Sequence, residues 1–402
     1  MRRLEEFVPT GKRLLRCGYT TGTCAAAATR AAADLLLGGV YVPAVEVRTP
    51  AGISVCVDVE KAERGDGWAR CAVRKDAGDD PDITNGVMVY ATVTIADGDQ
   101  IHIDGGEGVG RVTKPGLDQP VGAAAINSVP RQMIRACARE AAQAHGFVGG
   151  LSVVISIPEG TSLARRTFNP RLGIEGGISV LGTTGIVRPM SEDALVSSIR
   201  LELGMRQAQG DWHVLVSPGN LGLSFARERL GLPTEHAVSC SNYVGEALDE
   251  AARLGFRSLL LVGHAGKLVK LAAGIMNTHS RMADGRAEVL ASHAAMAGAT
   301  REVILSVMNA ATTDAMFDVL RAGGLADVVL CSVMARMADV LSLRAGDAMR
   351  VEAVMCCCDA SLVGMTPGAQ ELMQDVWGIN PTTMEDFQVG EPLVVVPERS
   401  MP

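Results

Sequence analysis

Three carboxylates, Asp79, Asp80 and Asp82, fall within four positions of GDDPDITNG (78–86). Acids this close can hold a cation, orient a cationic ligand or move protons. A polar turn is the plainer alternative, and the spacing departs from a calcium loop. A second segment, GYTTGTC (18–24), stands before an Ala-rich run. Hydroxyls and glycines at a helix start suit either a carboxylate or phosphate ligand or simple capping, with Thr23 as the expected N-cap. GGEGVGRVTKPG (105–116) lets a ligand approach the backbone closely and adds the charges of Glu107, Arg111 and Lys114. GTTGIVRP (182–189) repeats the hydroxyl–glycine theme, with a tight inter-domain connection as the neutral reading.

Two further segments belong to the second half. The apolar run 259–262 leads into Gly263-His264-Ala265-Gly266-Lys267, and the run 212–216 leads into Ser217-Pro218-Gly219-Asn220. Ligands of parallel sheets bind beyond the carboxyl ends of strands, so Gly219, Asn220, Gly263, His264, Gly266 and Lys267 are placed to hold one. The loop is shorter than a P-loop and lacks the dinucleotide fingerprint. NTHSRMAD (277–284) follows, where His279 is either a proton carrier near neutral pH or a satisfied helix-end histidine. Cys356-Cys357-Cys358 is not read as a metal cluster, because adjacent strand residues point to opposite faces. Trp68, Trp212 and Trp377 are scattered and make no stacking platform.

These residues need elements to hold them. The pattern predicts a helix over 25–37 stopped by Gly38-Gly39, strands over 45–47, 53–59, 87–95 and 151–157, and a helix over 130–145. Residues 97–122 read as one long loop system. From about 191 the rhythm becomes strand, short loop, helix: strands at 212–216 and 258–262, helices at 241–254, 286–297, 313–322 and 328–343, and late strands at 351–355 and 393–396. The fold class expected is two-domain. An N-terminal α+β domain with long Gly-rich loops covers 1–190, and a C-terminal Rossmann-like parallel α/β domain covers 191–402.

Composition narrows the function. The 402 residues exceed the size of a single core. Hydrophobic residues at 48% and charged residues at 20% fill a core without suggesting disorder. A net charge of -8 with no basic stripe argues against nucleic acid. Apolar windows are too short to cross a bilayer, the N-terminus lacks a signal-peptide pattern, and ten cysteines without zinc spacing suit a reducing cytoplasm. Homo-oligomerisation is left open.

Taken together, GYTTGTCAAAA (18–28), KDAGDDPDITNG (75–86), GEGVGRVTKPGL (106–117), PVGAAAINSVPRQMI (120–134), GTTGIVRPMS (182–191) and GHAGKLVKLAAGIMNTHSRMADGR (263–286) resemble the cobalt-precorrin-5B C(1)-methyltransferase family of anaerobic cobalamin biosynthesis. Asn85 stands where that family more often carries His. The resemblance implies S-adenosylmethionine as methyl donor, C-1 of cobalt-precorrin-5B as acceptor and cobalt-precorrin-6A as product, with cobalt present only as part of the substrate. Under that reading the donor lies at 217–220 and 263–267 in the second domain. Thr20, Thr21, Gly22, Thr23, Cys24, Lys114, Thr183 and Thr184 engage the acceptor's carboxylate arms, and Asp79, Asp80, Asp82, Glu107 or His279 handles a proton. Two other classes remain: an α/β transferase using a phosphorylated ligand, and a corrinoid-binding carrier or scaffold.

Overall fold

The computed structural model describes residues 3–10, 13–167, 169–170, 172–356 and 362–379. The chain is mixed α/β and divides into two compact units, Met1–Glu192 and Asp193–Pro402.

The first unit is built on the helix Thr21–Gly38. Its run of alanines favours helix and leaves little side chain to keep neighbours away, so it is buried nearly all round. Thr20, not Thr23, is the N-cap: its hydroxyl accepts from Thr23 N–H at 3.2 Å. Gly39 ends the helix in the left-handed region at φ 73°. The helix packs on Ser128–Ala144 and on a six-stranded sheet. The sheet order is Ala44–Arg48, Ser54–Gly65, Trp68–Arg74, Met88–Ala96, Gly150–Ser156 and Ile101–Gly105. Neighbours are antiparallel except the last two, which are parallel. Ile101–Gly105 corrects the single long loop expected over 97–122. Ile101 and Ile103 alternate with His102 and Asp104, a two-residue period hidden by the Gly- and Asp-rich flanks. A second correction is Arg111–Val112, which pairs with Ile174–Glu175.

The second unit holds a sheet ordered Val238–Ser239, His213–Ser217, Ser258–His264, Arg350–Cys356 and Leu362–Met365. The first four are parallel and the last is antiparallel. Strand Ser258–His264 has an unbroken apolar centre, Leu259 to Val262, because both faces are covered. Leu259 and Leu261 face a cluster with Leu248, Phe317 and Met337, whereas Leu260 and Val262 face Phe225, Leu372 and Met373. The strand extends to His264, and helix Ala265–Leu268 starts at once, so the segment expected as a loop is a strand end joined to a first helical turn. Glu192–Ala208, Gly160–Ala164 and Arg301–Asn309 are helices the pattern did not signal. The strand expected over 393–396 and the residues Cys357 and Cys358 lie outside the described residues.

Candidate functional site

In the first unit the segment 174–187, which runs into the motif at 182–191, touches three other sequence motifs and ties them together. Ile174–Glu175 pairs with Arg111–Val112. Ile178 and Val180 bridge to Val109 and Ile126. Leu181 O accepts from Gly22 N–H at 3.2 Å, and Gly185 O accepts from Thr20 N–H and from the Thr23 hydroxyl at 2.7 Å. Ile186–Val187 then pairs with Gly18–Tyr19. Glycine is required where these segments touch. A Cβ on Gly182 would lie 2.3 Å from Thr20 Oγ1, and one on Gly108 would lie 1.7 Å from Ile157 O. Close backbone-to-backbone contact explains Gly108, in place of the close approach to a ligand that the glycine content suggested.

The acidic segment is anchored by its own neighbours. Lys75, buried to 2% exposure, donates to Asp82 and to Thr84 Oγ1. Asp82 also accepts from the Thr84 backbone at 2.8 Å and hydroxyl at 2.7 Å. Burial alone would raise the Asp82 pKa, but Lys75 and Thr84 outweigh it and hold the carboxyl below the usual range. Asp76 is gripped by both guanidinium arms of Arg16 at 2.7 and 2.8 Å and by Gly78 N–H. Asp79 accepts from Arg16 N–H at 2.7 Å, Asp80 from Met190 N–H at 3.1 Å, and Asn85 from Ala77 N–H at 2.9 Å. Lys75, Asp76 and Arg16 were not singled out in the sequence, although the first two open KDAGDDPD.

This geometry redistributes the expected roles. Thr20, Thr21, Gly22, Thr23 and Cys24 are buried. The N–H groups of Gly22, Thr23 and Cys24 are already bonded within the fold, so the open anion site expected there is closed by Leu181 and Thr20. Burial pushes the Cys24 thiol up to about 12, which leaves it unreactive. Thr183, Thr184, Arg188 and Glu107 are exposed, and Lys114 is half-buried with its stem against Gly173. Thr184 turns its hydroxyl onto Ile186 O at 3.0 Å.

In the second unit the carboxyl ends of the parallel strands gather the other candidates. Lys267 Nζ donates to Pro218 O at 2.6 Å and Ser241 O at 3.2 Å, joining the turns that follow three neighbouring strands. Burial lowers its pKa. Gly219 precedes helix Asn220–Glu228, whose N-terminus has no side-chain cap. A Cβ on Gly219 would stand 3.9 Å from the Lys267 ammonium. Gly263 is bare because a Cβ there would lie 2.8 Å from Pro218 Cγ, and Gly222 because one would lie 2.4 Å from Val262 O. His264 caps the next helix, its Nδ1 accepting from Gly266 N–H at 3.0 Å.

His279 joins this edge through its neighbours. Thr278 N–H donates to Asn242 O at 2.9 Å, and Asn277 bridges to Tyr243. Lys270, 3% exposed, donates to Thr278 O and Ala283 O. The His279 ring is exposed, and its Nδ1 accepts from Arg281 N–H at 3.0 Å, so the neutral ring carries its proton on Nε2. Ser241 has a left-handed backbone at φ 53°, as does Met190 at φ 56°. Each then uses its backbone in the site, Ser241 through the carbonyl that meets Lys267 and Met190 through the N–H that meets Asp80. Two cavities, of about 460 and 290 Å³, lie elsewhere and are lined by none of the candidate residues. The smaller one is at the opposite, amino end of strand His213–Ser217.

Comparison with known proteins agrees with the motif pattern. The CbiD family model matches residues 8–189, and the model for the CbiD C-terminal domain matches residues 277–367. A relative from Ruminiclostridium cellulolyticum named cobalt-precorrin-5B C(1)-methyltransferase is 49% identical over 88% of this chain and 91% of its own length. A relative of the same name from Photorhabdus laumondii is 43% identical over 92% and 98%. A crystal structure of a cobalamin biosynthesis protein from Archaeoglobus fulgidus is 30% identical, covers 70% of this chain and 87% of that one, and superposes with a TM-score of 0.38. With family models on both halves and two relatives aligned over nearly their full lengths, the chain belongs to the CbiD family.

Proposed function

We propose that this protein transfers a methyl group from S-adenosylmethionine to C-1 of cobalt-precorrin-5B, giving cobalt-precorrin-6A. The observation that carries the reading is the 49% identity, over nine-tenths of its length, to a relative named for that activity. The donor, when bound, supplies a sulfonium methyl that the electron-rich ring carbon takes, the C–S electrons remaining on sulfur. No protein nucleophile is needed; the chain's residues bind, orient and exclude water.

Unit two's sheet edge, read as Rossmann-like, has the groups a donor requires. The uncapped N-terminus of helix Asn220–Glu228 and the Lys267 ammonium suit a carboxylate. Two of the three Lys267 donors go to carbonyls, which leaves one for the ligand. Thr183, Arg188 and Lys114 of the first unit suit the acceptor's acetate and propionate arms. Glu107, Asp79 and His279, all exposed, are the candidates for proton transfer; Asp82, locked to Lys75 and Thr84, orders its loop instead.

The test is methyl-labelled donor with cobalt-precorrin-5B. Label is expected in the pigment, and Lys267→Ala is expected to weaken donor binding on the order of tenfold or more. Tight pigment binding without label transfer would replace this reading with a corrinoid carrier.

A further inference from the structure

We propose that the outer edge of strand Ala44–Arg48 is a self-association surface, on which a second copy of this chain pairs antiparallel about Val47. The strand ends the six-stranded sheet and has a neighbour, Ser54–Gly65, on one side only. Its backbone groups alternate between the two sides. Val59 N–H donates to Pro43 O at 2.9 Å, and Thr49 N–H donates to Ile53 O at 2.9 Å. The odd-numbered residues therefore face the neighbour, and the N–H and C=O groups of Ala44, Glu46 and Arg48 face outward. Among the described residues nothing in the chain bonds to those outward groups. The opposite edge, Ile101–Gly105, is closed by arginines: Arg131 donates to Ile103 O at 2.8 Å and Arg111 to Gly105 O at 3.0 Å.

Charge decides what fits this edge. Glu46 and Arg48 are exposed on one face of the strand and, among the described residues, neither has an ion-pair partner. Within the sheet they stand opposite Cys56 and Ser54, which supply no counter-charge. A strand that pairs with its own copy, outward groups to outward groups, is centred on Glu46, Val47 or Arg48. Centring on Glu46 sets two glutamates face to face, and centring on Arg48 sets two arginines; like charges directly opposite are destabilising. Centring on Val47 sets Glu46 opposite the second copy's Arg48 and Arg48 opposite the second copy's Glu46. Each such pair exchanges both of its N–H to C=O bonds, and the two-fold symmetry makes every contact twice.

The surroundings leave room for the added strand. The larger cavity, of about 460 Å³, is lined by all five residues of Ala44–Arg48 and by Met133, Ala136 and Cys137 of helix Ser128–Ala144. A strand laid along the edge withdraws that apolar lining from water. Pro43 and Pro50 bracket the strand and have no N–H with which to lengthen the ladder. The pairing is therefore short and fixed in register. With the far edge of each sheet covered by arginines, the association stops at two copies instead of growing into a fibre.

Sedimentation velocity of the full chain over a micromolar dilution series reads the dimer dissociation constant. The wild type is expected to dimerise. Glu46→Lys or Arg48→Glu is expected to raise the constant on the order of 10-fold or more, since each change sets like charges opposite one another twice per dimer. The double variant Glu46→Lys/Arg48→Glu restores opposite charges and is expected to return to within about threefold of the wild type. Far-ultraviolet circular dichroism checks that the single variants stay folded, and recovery in the double variant has no explanation in a folding defect. A wild type that stays monomeric throughout the series overturns the proposal and leaves the edge to a different chain. A dimer indifferent to both single changes overturns it by placing the interface elsewhere, and so do single-variant losses that the double variant does not recover.

Discussion

At the scale of single residues, two buried ion pairs hold the acidic segment of the first unit, and the Arg16–Asp76 pair makes the sharper prediction. Asp76 is nearly inaccessible, and loss of its charge leaves a half-buried guanidinium without a counter-ion. Asp76→Ala is therefore expected to lower unfolding free energy by about 3 kcal/mol, read as a shift of the urea midpoint at unchanged slope. Acid should remove the same contribution. Burial by itself would raise the Asp76 pKa, but the bonds from Arg16 and Gly78 outweigh it and leave the carboxyl below its ordinary value. A folded pKa below the unfolded one stabilises fully above the ordinary carboxylate pKa of about 4 and fades as pH falls through the folded value. The stability gap between wild type and Asp76→Asn, followed from pH 6 to pH 3, should narrow toward the acid end; a gap that stays constant would show that the pair does not titrate with folding.

At the scale of elements, glycine separates contact from mere turn. Gly108 and Gly98 both have positive φ, at 74° and 82°, but a Cβ on Gly108 meets Ile157 O at 1.7 Å while one on Gly98 meets nothing within 4 Å. Gly98→Ala is expected to cost about 1 kcal/mol for backbone strain alone, and Gly108→Ala well over about 3 kcal/mol once the displaced strand-end backbone is added. Thermal unfolding of the two variants distinguishes them; equal losses would refute the contact argument. The contrast also explains what the sequence made legible. Strands such as Met88–Ala96 and Ser258–His264 announce themselves through local periodicity or an apolar run. The helix Thr21–Gly38 does so through its alanines, and the carboxyl-edge position of Gly219, His264 and Lys267 follows from the strand–turn–helix rhythm. The roles of the glycine–threonine motifs were not legible in the same way. Whether Thr23 N-caps a ligand-binding turn or donates to Gly185 O depends on a partner 162 residues away. The same is true of Ser241, whose carbonyl meets Lys267 only because another turn supplies it.

At the scale of the whole molecule, the charge balance sets donor and acceptor apart. A chain with net charge -8 must attract a substrate bearing several carboxylates, and only local positive groups can do that. The proposed acceptor groups, Arg188, Lys114 and the Thr183 hydroxyl, are exposed or half-exposed, so their attraction is screened at ordinary ionic strength. The proposed donor group Lys267 is half-buried with two of its N–H groups on carbonyls, so its charge is screened less than one fully in solvent. Raising salt from about 0.01 to 0.15 M, across which the Debye length falls from about 30 to 8 Å, should therefore raise KM for the tetrapyrrole several-fold while leaving the donor dissociation constant nearly unchanged. Arg188→Ala and Lys114→Ala should reproduce part of that rise, each by up to about fivefold as expected of exposed charges, without changing donor affinity. Lys267→Ala should do the converse. A parallel salt response of the two ligands, or variants that weaken both alike, would contradict the separate assignments and place donor and acceptor on a shared set of charges.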